Sequence, residues 1–159
     1  MAKTYQVNFA TRVRDALFLA LLSAGVKMGT TSLLTVRGRA SGQPHTVPVI
    51  LVEQDGRRFL VAPYGVVQWM RNLRKAGMAT LTRGRRSETI AVSELPAREA
   101  APVLQQYLLH GAWVGAYFDA TKNSPPAAFE LEAVRHTVFQ ITTIEHLQQA
   151  LSRKQDALQ

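Results

Sequence analysis

The sequence of 159 residues contains no cysteine. This absence excludes disulfide bonds, thiolate zinc sites and cysteine nucleophiles, and it agrees with the cytoplasmic location that we expect. Long apolar runs are also missing. The longest candidate, residues 16–26, is about half of the roughly 20 apolar residues that a membrane-spanning helix needs. We therefore expect no spanning helix from this segment.

Acidic residues are scarce, with 11 Asp and Glu against 19 Lys and Arg, which gives a formal net charge of +8. So few carboxylates leave little acid–base machinery, and any difficult chemistry would have to come from a cofactor. A strongly basic chain favours anionic partners, such as nucleic acid, an anionic membrane surface or an acidic cofactor.

Several catalytic motifs are missing as well. No Gly-x-Gly-x-x-Gly follows a strand-like segment and no Gly-x-Ser-x-Gly occurs, which excludes the usual dinucleotide fold and the serine-hydrolase elbow. The histidines show no spacing typical of metal ligands. They are His45, His110, His136 and His146.

The length and a hydrophobic content of 47% indicate one domain, residues 1–159, with a substantial core. Apolar residues recur at helical spacing near the N-terminus and predict an amphipathic helix over about residues 8–28. We expect this helix to pack on the core. Peripheral contact with a membrane surface is the alternative use of its apolar face.

The middle of the chain alternates strand-like runs with turn signals, of which Asp55-Gly56 is the strongest. The spacing between strands is too short for repeated βαβ units. We predict class α+β, a small antiparallel barrel of five to six strands with an N-terminal helix and inserted and C-terminal helices. The predicted strands are residues 31–36, 46–53, 57–62, 78–82, 88–95 and 136–143, and the predicted helices are residues 66–76, 96–109 and 144–151.

A glycine-bounded turn between the first two strands is the most informative stretch. Gly38 and Gly42 are expected to adopt positive φ and to turn backbone N–H groups toward one point. Arg37 and Arg39 place guanidinium groups beside those amides, which suits a phosphate or a carboxylate. A plain hairpin turn with solvated arginines is the competing interpretation.

A second stretch, residues 68–75, lies on the helix after the third strand. Trp69 is either a core residue or a partner for a planar ring, and Asn72 is either a surface residue or a hydrogen-bond donor beside that ring. Basic residues on this helix, together with Arg83, Arg85 and Arg86, suggest nucleic-acid binding as another possible function. That patch lacks interleaved aromatic residues, so we favour a solvated basic face.

Two motifs together, LTVRGRASGQP at residues 34–44 and WMRNL at residues 69–73, with Val47-Pro48 between them, resemble the deazaflavin-dependent nitroreductase family. Members are split-β-barrel oxidoreductases that use coenzyme F-420. The resemblance implies a hydride transfer from the reduced deazaflavin to a quinone, a nitroaromatic compound or a conjugated enone or lipid. Split barrels of this kind are often dimeric, so a homodimer is expected.

The resemblance also implies a cofactor site. The turn would hold the phosphate and acidic tail of the coenzyme, and the second strand and the Trp69 helix would flank its ring. The implied cofactor-binding residues are Arg39, Ala40, Ser41, Gly42, His45, Thr46, Val47, Pro48, Val49, Ile50, Val61, Ala62, Pro63, Tyr64, Gln68, Trp69, Met70, Arg71 and Asn72. Ala40 and His45 stand where many members carry a lysine and an arginine, so this anchor is expected to be less cationic.

Tyr117 is the candidate catalytic residue, as proton donor or as a group that binds the acceptor. Tyr107, His110 and Trp113 are weaker candidates for the same role. Two alternatives stay open for the chain as a whole. One is an FMN-binding split barrel like the pyridoxamine-phosphate-oxidase-like proteins, and the other is a deazaflavin carrier without catalysis. We expect a small-molecule acceptor, no bound metal and no nucleic-acid partner.

Overall fold

The computed structural model describes residues 31–110 and 114–158, together with Arg12, Ala16, Leu17, Leu19 and Ala20, all five of which are helical. The predicted helix over residues 8–28 otherwise lies outside the described residues, as does Trp113. Among the described residues, no helix combines the length and the apolar character needed to cross a bilayer.

Six antiparallel strands close into one barrel, in the order β1-β2-β3-β6-β5-β4, with β4 pairing back to β1. This confirms the predicted α+β class and the small antiparallel barrel. The strands are β1 (Thr31–Arg37), β2 (Pro44–Gln54), β3 (Arg57–Val61), β4 (Met78–Arg83), β5 (Arg86–Glu94) and β6 (Val138–Thr143).

Tight turns set the register of the hairpins. Asp55 and Gly56 have φ of 53° and 71°, the left-handed pair that a two-residue type I′ turn requires, and they join Gln54 to its partner Arg57. Gly84 has φ of 62° in the turn between β4 and β5. The strand twist therefore continues through both hairpins.

Alternating side chains of the barrel wall fill two hydrophobic clusters. On β3, Leu60 belongs to one cluster, and its neighbours Phe59 and Val61 belong to the other. The Leu60 cluster draws on all six strands, which is only feasible inside the barrel. The second cluster lies outside the wall, where helices cover it. Its strand members include Val52, Phe59, Val61 and Val138.

Four α-helices and one 3₁₀ helix lie within residues 31–158 as described. They are α1 (Gln68–Ala76), α2 (Ala97–His110), the 3₁₀ helix (Val114–Tyr117), α3 (Pro126–Glu132) and α4 (Ile144–Asp156). Helix α1 begins two residues later than predicted and seals the barrel interior with Met70 and Leu73, both 0% exposed. Helices α2 and α3 pack against each other and contribute to the outer cluster. Helix α4 runs five residues beyond the predicted end and has no buried residue.

Candidate functional site

The turn between β1 and β2 is closed by its own backbone. The Gly38 N–H donates to the Gln43 carbonyl at 2.8 Å, and the Gly42 N–H donates to the Gly38 carbonyl at 2.9 Å. Gly42 has the predicted positive φ, 70°, but Gly38 does not, so the prediction for Gly38 was wrong. Gly38 is needed for space, because a Cβ there would lie 2.8 Å from Ser41 Oγ and 2.9 Å from His45 Nε2.

Arg39 connects this turn to helix α1. Its Nη1 donates to Gln68 Oε1 and to Asn72 Oδ1, both at 2.9 Å, and its backbone N–H donates to Asn72 Oδ1 at 3.2 Å. Asn72 is only 6% exposed, so it is not a surface residue of the helix. Asn72 therefore accepts hydrogen bonds from Arg39, where the sequence predicted a donor beside a ring. The two motifs of the sequence meet at this residue pair.

The outer side of the turn suits an anion. The backbone N–H groups of Ala40 and Ser41 make no hydrogen bond within the described part of the chain, and both residues are exposed. Arg37 and Arg39 are exposed residues of the same turn, and Arg37 Nη1 donates to the Gly42 carbonyl at 3.1 Å. Lys75 Nζ donates to the Arg39 carbonyl at 3.4 Å. Two adjacent N–H donors next to three cations provide hydrogen bonds and charge for a phosphate or a carboxylate. The residues present therefore fit the acidic tail of the coenzyme.

The residues expected along the ring divide into an exposed set and a buried set. His45, Thr46 and Pro48 on β2 are exposed, Val47 and Ile50 are half-buried, and Trp69 is half-buried against the barrel cluster. The side chains of the buried set are enclosed in the core, which leaves only their backbone for contact with a ligand. That set is Val49, Val61, Ala62, Pro63 and Met70. Gln68 and Arg71 are exposed on α1.

Tyr117 and Tyr64 meet edge to face. Their ring centroids are 4.9 Å apart with an interplanar angle of 81°, although the residues are 53 positions apart in the chain. Both residues are half-buried. The candidate catalytic residue thus lies beside the strand end expected to contact the coenzyme ring.

The weaker candidates for that role fare differently. Tyr107 is 3% exposed, and burial, followed by the nearby Tyr64, raises the pKa of its phenol well above its usual value. A phenol that holds its proton so firmly is a poor donor. The His110 side chain and Trp113 lie outside the described residues.

Two buried polar residues that the sequence did not single out contact residues 118–120, which follow Tyr117. Glu132 is 2% exposed and His136 is 3% exposed. Their i,i+4 spacing is the only local signal in the sequence, and the same spacing is common on solvated helix faces. Among the described residues, no group of three metal-ligating side chains occurs.

The basic residues do not form one patch. Arg74 and Lys75 precede β4, whereas Arg83, Arg85 and Arg86 follow or surround its far end. A six-residue strand separates the two groups by roughly 17 Å at about 3.3 Å per residue. Arg74 is also paired with Glu94 at 2.8 Å. The arrangement lacks the continuous basic stripe typical of a nucleic-acid interface.

Comparison with known proteins gives a consistent picture. A family model described as F420H(2)-dependent quinone reductase matches residues 19–124, more than half of the chain. No curated protein matches the sequence. A solved structure described as an F420-H2 dependent reductase (FDR-A) is 19% identical, with a TM-score of 0.52 over 71% of this chain and 94% of that chain. Another, described as a domain-swapped dimer, is also 19% identical, with a TM-score of 0.54 over 85% of this chain and all of that one. At this identity, the two structures show a shared fold alone.

Proposed function

Because this chain belongs to the family of quinone reductases that depend on reduced coenzyme F-420, we propose that it transfers a hydride from that coenzyme to a quinone, a nitroaromatic compound or a conjugated enone or lipid. The family identifies the chain as an F-420-dependent reductase. The acceptor and the roles of individual residues are the proposed part.

The junction of Arg39 with Gln68 and Asn72 is the observation that carries the proposal. It fixes a cationic, glycine-bounded turn against the helix that closes the barrel. A solvated hairpin turn would not need a buried asparagine committed to its arginine. The junction holds the turn against α1, the helix that carries Trp69, and this supports an anion site at the turn beside a ring site at Trp69.

Different residues of the chain would bind different parts of the coenzyme. The N–H groups of Ala40 and Ser41 and the Arg37 and Arg39 guanidiniums would bind the acidic tail. The exposed side chains of β2 and the half-buried Trp69 would line the ring. When bound, the reduced coenzyme supplies the hydride. The site would hold donor and acceptor carbons about 3–3.5 Å apart and exclude water between them.

Tyr117 would act on the acceptor. Its ring contacts Tyr64 in the turn after β3, and its Oη would donate a proton or a hydrogen bond to the acceptor oxygen as negative charge develops there. Replacement of Tyr117 by Phe keeps the ring and removes the hydroxyl. We expect kcat to fall by about tenfold to a hundredfold, with coenzyme affinity unchanged.

Coenzyme binding is the direct test. Titration of oxidised coenzyme F-420 with the protein, followed by fluorescence polarisation, should give saturable binding that FMN does not match. Arg39→Ala should weaken that binding at least tenfold, because it removes a cation and releases the turn from α1. Arg85→Ala, an exposed arginine at the other end of the barrel, is the control and should bind as the wild type does. Equal loss in both variants would indicate only general electrostatics.

Turnover separates a reductase from a carrier. Oxidation of the reduced coenzyme in the presence of menadione or a nitroaromatic compound, followed by the return of deazaflavin absorbance, should occur at catalytic protein concentration. Tight binding without oxidation would favour the carrier. Tighter binding of FMN than of coenzyme F-420 would favour the FMN-binding split barrel.

We also propose a homodimer and a cytoplasmic location. A structure with a similar fold is described as a domain-swapped dimer, and α4 presents an apolar stripe with Leu147 39% and Leu151 55% exposed. Exposed apolar side chains repeated along one helix favour contact with a second surface. Light scattering after gel filtration should give twice the chain mass, and Leu151→Glu should reduce it to that of a monomer.

A further inference from the structure

A buried carboxylate holds the segment that follows Tyr117. Oε1 of Glu132 accepts hydrogen bonds from the backbone N–H groups of Asp119 and Ala120, each at 2.6 Å. Oε2 accepts from Arg135 Nη2 at 3.0 Å. Arg135 Nη2 also donates to Asp119 Oδ2 at 2.6 Å, so Arg135 keeps an acceptor if Glu132 is removed. An almost fully enclosed carboxylate with these partners is costly to disturb, since its removal would leave the two amides without their acceptor.

His136 lies between the same carboxylate and the segment after β3 that carries Tyr64. Its Nδ1 lies 3.3 Å from the Ala62 carbonyl, and its Nε2 lies 3.3 Å from Glu132 Oε2 without hydrogen-bond geometry. The imidazole stacks on Phe118, with ring centroids 3.9 Å apart and an interplanar angle of 19°. The backbone N–H of Ala62 donates to the Thr137 carbonyl at 3.0 Å, which adds a second tie between the two segments.

These contacts hold the two segments of chain that carry the tyrosine pair. Phe118 and Asp119 directly follow Tyr117, and Ala62 lies two residues before Tyr64. Glu132 therefore anchors the segment that carries one ring, and His136 contacts the segments that carry both. The relative position of Tyr64 and Tyr117 thus depends on contacts that Glu132 and His136 make with the neighbouring residues Ala62, Phe118, Asp119 and Ala120.

We propose that Glu132 is a positioning residue that, together with His136, holds Tyr117 against Tyr64 and so sets the geometry of the acceptor side of the site. The inference rests on the proposed function, because it assumes that an acceptor binds beside Tyr117. In this role, the length of the Glu132 side chain matters more than its negative charge. Two backbone amides must be met at hydrogen-bond distance, and a neutral amide oxygen can do that as well as a carboxylate.

Three variants separate reach from charge. Glu132→Gln keeps an acceptor oxygen at the same distance for the two amides. Its NH2 group would replace Oε2, offer an N–H toward His136 Nε2 and release Arg135 to its other acceptor, Asp119 Oδ2. Glu132→Asp keeps the charge but withdraws it by one methylene. Glu132→Ala removes the acceptor altogether. Glu130→Ala is the matched control, since Glu130 is an exposed glutamate on the same helix.

The first readout needs no coenzyme. Protein labelled with 3-fluorotyrosine should give resolvable fluorine NMR signals for its four tyrosines, and Tyr64→Phe and Tyr117→Phe would assign two of them. In Glu132→Ala and Glu132→Asp, we expect the Tyr64 and Tyr117 signals to move toward their solvent-exposed positions. In Glu132→Gln and Glu130→Ala, both signals should stay at their wild-type positions. Unchanged signals in Glu132→Asp and Glu132→Ala would overturn the proposal, and Glu132→Asp alone decides it if Glu132→Ala does not fold.

The second readout is kinetic, at a temperature well below every unfolding midpoint. With menadione as acceptor, KM should rise about tenfold in Glu132→Asp, while the Kd for coenzyme F-420 changes less than twofold. The kcat/KM of Glu132→Gln should be much closer to that of the wild type than the kcat/KM of Glu132→Asp is. Parallel losses in KM and coenzyme Kd would overturn the positioning role and indicate general destabilisation. A wild-type protein that neither binds nor oxidises the coenzyme would instead refute the proposed function, and the fluorine signals would remain interpretable.

Discussion

Two glycines in one turn show how the same residue type serves different physical needs. Gly42 occupies a left-handed conformation, φ of 70°, with nothing within 4 Å of an added Cβ. At Gly38 the space for a side chain is limited, because the Ser41 hydroxyl and the His45 ring lie within 3.0 Å of the position that a Cβ would take. The conformational role was predicted for both from the sequence. The steric role of Gly38 depends on side chains three and seven residues away, which only the folded turn brings together.

This difference predicts opposite consequences for two alanine substitutions. Gly42→Ala should lower the free energy of unfolding by about 1–2 kcal/mol, because an L-residue is strained at that φ. Gly38→Ala should cost less stability, since the atoms it meets are side-chain ends that can move. Moving Ser41 and His45 should nevertheless weaken coenzyme binding about fivefold to tenfold. Urea unfolding and the coenzyme titration measure the two effects, and unchanged affinity in Gly38→Ala would contradict this account of the turn.

The burial of His136 leads to a second prediction for a single residue, which concerns how the stability of the fold depends on pH. Burial lowers the pKa of His136, and the Ala62 carbonyl and the Glu132 carboxylate oppose that shift while Arg135 adds to it. The unfolded chain therefore binds this proton at a higher pH than the folded chain. The stability associated with neutral His136 is complete above about pH 6.5 and is lost as the pH falls below it.

Urea unfolding between pH 7.5 and pH 5.5 tests this. The wild type should lose more stability on acidification than His136→Phe, which keeps an aromatic ring against Phe118 but cannot bind a proton. His146→Gln, an exposed histidine on α4, should keep the wild-type slope. An identical slope in wild type and His136→Phe would mean that the buried imidazole is protonated equally in both states.

At the scale of elements, the sequence predicted the strands well because their signals are local. Asp55-Gly56, Gly77 and Gly84 occupy left-handed positions at a hairpin, a helix end and a second hairpin. Each is a turn or cap signal that depends on a few adjacent residues. Trp69 and Asn72 were placed correctly on α1, but the partner of Asn72 was not foreseen. Arg39 is 33 residues away, and no local pattern encodes that pairing.

Helix α1 is the element on which the site depends, and its C-terminus gives the next prediction. Gly77 has φ of 68°, and its N–H donates to the Leu73 carbonyl at 2.8 Å, which caps the helix. Nothing lies within 4 Å of an added Cβ. Gly77→Ala should thus lower the free energy of unfolding by about 1 kcal/mol, through backbone strain alone.

Gly77→Asn is the matched comparison, because asparagine tolerates the left-handed region better than alanine does. We expect it to lose less stability than Gly77→Ala in urea unfolding. Coenzyme affinity should be little changed in both variants, since Gln68 and Asn72 precede the cap residue by nine and five positions. A larger loss in Gly77→Asn would point to crowding at the cap instead of strain.

At the scale of the whole molecule, the candidate site draws on both sides of the barrel wall. The Arg39 junction belongs to the end of the barrel that α1 closes, whereas Tyr117 and Glu132 belong to the helical layer outside it. The sequence could not predict how these layers meet, because Glu132 is an acid at a position that becomes buried only when residues 119–120 pack over it. An isolated helix with this sequence would leave that carboxylate in water.

The two layers share β3, and this sharing predicts that they unfold together. Leu60 is 0% exposed inside the barrel, and Phe129 is 0% exposed in the outer layer. Phe59 and Val61, on either side of Leu60, pack in the same cluster as Phe129. Leu60→Ala should cost about 2–5 kcal/mol and Phe129→Ala about 3–5 kcal/mol. Leu131→Ala, with a side chain 74% exposed, is the control and should cost almost nothing.

Cooperativity decides whether the layers are one unit. Far-ultraviolet circular dichroism and amide exchange of β1, which lies remote from α3, should report the same single transition as each other in Leu60→Ala and again in Phe129→Ala. Early loss of helical signal in Phe129→Ala, with β1 still protected, would show that the outer layer opens independently. Tyr117 would then leave Tyr64 without unfolding of the barrel, and coenzyme binding at the Arg39 turn would survive conditions that abolish turnover.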